Sequence, residues 1–116
     1  MIRIVNDSGK ISIADDVLMN LAGEAATSCF GVKGMVACNR EGDPWQLLRR
    51  ESMSKGIKIN NNDDGTVSLE LHIGVDQGVN IYAVAGSIMN EVSYKLSRST
   101  GVPIKSIDVF VDTIIG

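Results

Sequence analysis

Ile2, Ile4, Ile11 and Ile13 alternate with mostly polar neighbours on either side of the turn-forming residues 6–9, which predicts a β-hairpin at the start of the chain. Asp15 and Asp16 then put negative charge where a helix N-terminus favours it. Behind them Leu18, Leu21, Ala22, Ala25, Ala26 and Cys29 recur at helical spacing, and Gly31 is expected to stop this first helix. Its apolar face is built largely from alanine, with Gly23 nearby, which suits close approach to another backbone. Residues 32–37 read as a short strand. Pro44 opens a short helix through residues 46–50, and Ile57 and Ile59 begin a strand that ends in the turn signal Asp64-Gly65.

The clearest alternation follows. Val67, Leu69, Leu71, Ile73 and Val75 interleave with Ser68, Glu70, His72 and Gly74, so this strand has one buried and one wet face. Ile81, Val84, Ala85, Ile88, Val92 and Leu96 then form one stripe of a long helix, with Asn80 as its N-cap and Gly101 and Pro103 as its stop. A last strand turns Ile107, Val109 and Val111 inward and Asp108 and Asp112 outward. The order β-β-α-β-(short α)-β-β-α-β predicts an α+β fold: a two-layer sandwich with two main helices on one face of a mixed sheet. Residues 1–116 are read as one domain, with 38–56 a polar, basic insertion.

Composition narrows the function classes. An apolar share of 44% and a charged share of 22% describe a globular chain, without an apolar run long enough to span a membrane. Met1 to Val5 lacks the basic and long apolar regions of a secretory leader. Cys29 and Cys38 fit neither a CxxC redox motif nor a zinc pair, so both are read as reduced thiols of a cytoplasmic protein. The net charge of −3 argues against a nucleic-acid-binding module, against DNA above all. That charge is uneven: residues 1–39 hold three basic and four acidic groups, residues 59–116 three and seven, and residues 40–58 five and three.

Candidate chemistry is sparse. His72 is the one imidazole, on the polar face of a strand with no nucleophile beside it in sequence. Asp15-Asp16, Asp63-Asp64 and Asp108/Asp112 are each accounted for by helix dipole, turn or solvation. Gly31-Val32-Lys33-Gly34 spells the GxxG clamp of some RNA-binding domains, but it leads into a strand rather than joining two helices. No catalytic residue, metal ligand or cofactor site emerges. The basic element of residues 40–58, with Arg40, Trp45, Arg49, Arg50, Lys55 and Lys58, is either a solvated loop with a small helix capping the core, or a docking element for an acidic partner or a weak membrane-surface contact.

Several stretches in order carry a family resemblance: Gly9-Lys-Ile-Ser-Ile13, the helix from Asp16 to Ala26, Gly31-Val-Lys-Gly-Met35, Lys55-Gly-Ile-Lys-Ile59, residues 67–75, Gly78-Val-Asn-Ile81 and Thr100-Gly-Val102. Over residues 9–113 the chain resembles the alkaline shock protein family of cell-envelope stress response proteins from Gram-positive bacteria, in its short branch. The resemblance implies a non-enzymatic cytoplasmic protein of envelope homeostasis. It further implies self-association and a protein partner, in some members a membrane-anchoring one, with no membrane insertion of its own. No catalytic residue is carried over. Ala14 stands where a helix-capping Ser is usual, and Val79-Asn80-Ile81-Tyr82 departs from the usual Lys or Pro near that position. The alternatives are an RNA-binding module using the sheet and residues 40–58, and a small-ligand sensor linked to lipid metabolism.

Overall fold

The computed structural model describes residues 2–37, 48 and 54–115. Its elements follow the expected order: β1 (Ile2–Asn6), β2 (Gly9–Ile13), α1 (Asp15–Thr27), β3 (Val32–Met35), β4 (Ile57–Asn61), β5 (Val67–Asp76), α2 (Ile81–Thr100) and β6 (Ile104–Ile115). The short helix expected through residues 46–50 lies outside the described residues, apart from Leu48. β1 and β2 form a separate antiparallel hairpin, with Ile2 opposite Ile13 and Ile4 opposite Ile11.

β5 organises the main sheet. β6 runs parallel to it along its whole length, from the pair Val67–Ile104 to the pair Asp76–Ile115. A strand has two edges, so β3 and β4 share the other one. β3 pairs antiparallel with residues 73–75 and β4 with residues 67–71. The Val36 amide donates to the His72 carbonyl at 2.9 Å, and Ile57 stands opposite Leu71. β3 and β4 are therefore two halves of one interrupted strand, and the chain between Val36 and Ile57 departs from and rejoins adjacent rungs of a single ladder.

The alternation in β5 decides where the core lies. Val67, Leu69, Leu71, Ile73 and Val75 are buried beneath the helices, joined by Met35 and Ile57 from the neighbouring edge. α2 presents Val84, Ile88, Val92 and Leu96 to this layer, and α1 presents Leu18, Ala22, Ala25 and Ala26. The small side chains of α1 let it pack against α2 as well as the sheet, and Lys95 of α2 reaches Glu24 of α1 at 3.4 Å.

The helix ends differ from one another. Gly101 adopts φ +72° and donates its amide to the Ser97 carbonyl at 3.0 Å, as the Gly101–Pro103 stop requires. α1, in contrast, ends at Thr27 rather than running on to Gly31. The Thr27 hydroxyl donates to the Gly23 carbonyl at 2.8 Å and the Ser28 hydroxyl donates to that of Ala25 at 2.7 Å. These side chains offer the last carbonyls an alternative to further helical bonding. Gly31, at φ +90°, instead makes the turn into β3, where a Cβ would lie 3.0 Å from Val84.

Candidate functional site

The sheet face turned away from the helices collects most of the chain's unusual polar chemistry. Odd positions of β5 point into the core, so even ones point out: Ser68, Glu70 and His72 are half-buried there. Parallel pairing sets Asp108 beside Glu70 and Phe110 beside His72. Two residues after Phe110, Asp112 lies on the same face and is the extra residue where the β6 register shifts. His72 Nδ1 lies 2.8 Å from Asp112 Oδ2, and His72 Nε2 lies 2.9 Å from Glu70 Oε2. The Phe110 ring stacks on the imidazole, with centroids 4.8 Å apart and an interplanar angle of 8°.

This arrangement ties β5 to β6 across the outer face. A neutral imidazole has one donor nitrogen and an imidazolium has two, so only the protonated ring donates to both carboxylates. Both nitrogens are occupied, and neither faces a Ser, Thr or Cys nucleophile at hydrogen-bond distance among the described residues. The two nitrogens also point in opposite directions, so the His72, Glu70 and Asp112 side chains do not converge on one point. Consistently, no group of three or more His, Cys, Asp or Glu among the described residues is placed to hold a metal ion. Cys29 carries a thiol of low reactivity. Burial, and after it the Glu91 carboxylate, push the Cys29 thiol up, which lowers its thiolate fraction at neutral pH. In the turn before β5, the hydroxyl and amide of Thr66 donate to Asp64 at 2.6 and 3.1 Å and hold its carboxyl below the usual range.

Of the six residues expected to dock a partner, Arg40, Trp45, Arg49 and Arg50 lie outside the described residues. Lys55 is exposed in the single turn before β4, and Lys58 is exposed on β4, its Nζ 3.9 Å from Glu70 Oε2. Lys58 thus belongs to the outer sheet face, beside an acidic group, while Lys55 stands where the inserted segment returns. That return point is tightly built. The Leu48 amide donates to the Met35 carbonyl at 2.8 Å, and a Cβ on Gly56 would sit 2.7 Å from the Val36 carbonyl oxygen. Glycine is what allows the incoming chain to lie against the outgoing one.

Two further features have no counterpart in the sequence motifs. An open cleft of about 170 Å³ between α2 and β6 is lined by Met89, Ser93 and residues 104–107. A second, of about 490 Å³, lies at the other end of the sheet among Lys33, Asp76, Gln77 and Ile115, bordered by the Lys33–Asp76 ion pair at 3.2 Å. Among the described residues, no helix is long and apolar enough to cross a membrane.

Comparison with known proteins gives this fold a context. Residues 3–115 match the model of the alkaline shock protein 23 family, described as having a cell envelope-related function. The uncharacterized protein Spy1614 of Streptococcus pyogenes serotype M6 is 32% identical over 114 residues, covering 97% of this chain and 93% of that protein. The uncharacterized protein YloU of Bacillus subtilis is 28% identical over 107 residues, covering 91% and 88%. Among solved structures, a histidine-to-alanine variant of MamM-CTD superposes with a TM-score of 0.51 at 17% identity, covering 86% of this chain and 98% of that one. The copper form of the same domain gives 0.50 at 17%, covering 84% of each. At that identity the likeness is one of fold.

Proposed function

Since the chain belongs to the alkaline shock protein 23 family, with its cell envelope-related function, we propose that it is a non-enzymatic interaction module of the cytoplasm that serves the envelope through a protein partner. One observation carries this reading. The basic segment is inserted between adjacent rungs of one ladder, Val36 opposite His72 and Ile57 opposite Leu71, so the sheet is complete without it. A segment rich in arginine that leaves and rejoins a strand at adjacent rungs is suited to recognition, and its charge suits an acidic partner at or near the membrane. The outer sheet face favours a protein over RNA, because Glu70, Asp108 and Asp112 outnumber Lys58 there and would repel a phosphate backbone.

Fractionation of host cells tests this. The wild-type protein is expected to sediment partly with envelope membranes through its partner. Arg49→Glu combined with Arg50→Glu is expected to move it into the supernatant, with its thermal unfolding temperature unchanged. Equal membrane recovery of the two proteins would overturn the role given to this segment.

A further inference from the structure

The β6 edge, opposite the one that carries the insertion, has the features of a surface made for a copy of itself. β6 pairs only with β5, so one whole side of its Ile104–Ile115 backbone is without a strand partner among the described residues. Natural edges of this length are usually blunted by proline or bulges. Here Lys105 and Asp112 are the extra residues of two bulges, and the run 106–111 between them is regular and free of proline. α2 lies over this side of the sheet: Lys95 marks its α1-facing side, and Met89 and Ser93 line the cleft above residues 104–107. Tyr82, Gly86, Met89, Asn90, Ser93 and Ser97 fall on this outward side, none of them charged. Tyr82 is 91% exposed and Met89 40%, and a Cβ at Gly86 would meet nothing within 4 Å.

We propose that two copies of this chain join β6 to β6 across a two-fold axis perpendicular to the sheet, giving one continuous sheet with α2 beside α2. Such an axis makes the new ladder antiparallel and keeps both pairs of helices on the same face. Directly opposite residues must then point to the same face, so inward Ile107, Val109 and Val111 can only oppose one another. Charge selects among the registers that remain. Centring the ladder on Asp108 sets that carboxylate against its own copy, and centring it on Phe110 sets Asp108 against Asp112. Like charges directly opposite are destabilising. Centring on Ile107 runs the ladder through the Lys105 bulge to Pro103. Centring on Val109 leaves no like charges opposed: Ile107 faces Val111, and Asp108 faces Phe110, which is 42% exposed and gains cover.

The helices fit the same axis. With β5 and β6 beneath each α2, the two helices stand about two strand spacings apart, roughly 10 Å, which is a normal helix-packing distance. From Ile107 to Val109 is about 7 Å of strand, the advance of four to five helical residues, which carries the level of Met89 toward Gly86. Gly86, without a side chain, is the outward residue beside that level, and it lets the helices approach closely there. The second copy closes the open cleft over Met89 and Ser93.

The inference concerns the edge remote from the basic segment, so it stands or falls separately from the envelope-partner reading. Its test uses purified full-length protein. Light scattering is expected to give the mass of a dimer, and Met89→Glu, an exposed position changed once in each copy, is expected to weaken dimerisation about tenfold or more, whereas Met89→Leu retains it. In a background with Cys29→Ser and Cys38→Ser, Val109→Cys is expected to form an intermolecular disulfide on mild oxidation, since directly opposite Cα atoms lie about 4.5–5.5 Å apart. Ser106→Cys, far from the axis, is expected not to. A protomer mass up to millimolar concentration overturns the proposal. So does a dimer that neither crosslinks through residue 109 nor responds to Met89→Glu.

Discussion

At the scale of single residues, the two helices begin on opposite chemistry. Asn80 precedes α2 in extended backbone, and its side chain accepts the Ala83 amide at 3.0 Å, satisfying one of the four amides a helix start leaves unbonded. Ala14 holds the equivalent place before α1, also in extended backbone, and has no side-chain bond to offer. The backbone is prepared for a cap that the side chain does not supply; Asp15 and Asp16 compensate in part through the helix dipole. Asn80→Ala is therefore expected to cost about 1 kcal/mol, and Ala14→Ser to add about 0.5–1 kcal/mol. Urea unfolding of the two variants should show midpoints displaced in opposite directions with unchanged slopes. Asn80 was legible as a cap from its place before the apolar stripe, and the deficit at Ala14 from the family comparison of that position. The environment of His72 was not legible. Alternation puts both His72 and Asp112 on the outer face, but Asp112 is forty residues away, and only the parallel pairing of β5 with β6 brings it to the ring.

At the scale of elements, the interrupted strand makes the firmest demand on the fold. Met35 opposes Ile73, Val36 bonds at His72 and Ile57 opposes Leu71, so inward and outward positions continue across the gap without a change of phase. A variant joining Val36 directly to Ile57, with residues 37–56 removed, is expected to fold with the same far-UV circular dichroism and a cooperative transition. It loses the packing of Leu48 against the core, so its stability should fall by about 1–3 kcal/mol. A chain that failed to fold would show that the insertion props up the sheet. Both halves of the strand were readable from local pattern, since Val32, Met35, Ile57 and Ile59 lie among turn formers. Their union was not, because which edge of β5 a strand takes is decided by pairing between distant segments. Five of the six basic or aromatic residues singled out for docking lie within the insertion, and four of these, Arg40, Trp45, Arg49 and Arg50, lie outside the described residues, so their part in recognition rests on sequence and on where the segment attaches.

At the scale of the molecule, cohesion falls away from β5 outward. The protein measures 52 × 29 × 23 Å with a radius of gyration of 14.6 Å, somewhat beyond the roughly 13 Å of a compact chain of this length. β5 is paired on both edges and fully packed on its helix side, so opening it requires the whole core to come apart. The β1–β2 hairpin is the opposite case. Ile2 anchors it in the core, but farther out Ile11 is 51% exposed and Val5 77%, and an isolated two-stranded hairpin is only marginally stable in water. Native-state amide exchange should therefore divide the molecule in two. The amides of Leu69, Leu71 and Ile73 are expected to exchange only through global unfolding, tracking the stability measured in denaturant, whereas those of Val5 and Lys10 exchange through local fraying and hardly respond to denaturant. Comparable protection in the hairpin would mean that exposed Val5 and Ile11 find cover in solution. A second copy joined at β6, on the opposite side of β5 from the strands β3 and β4, should raise protection selectively along residues 106–111 as protein concentration rises, leaving the hairpin unchanged.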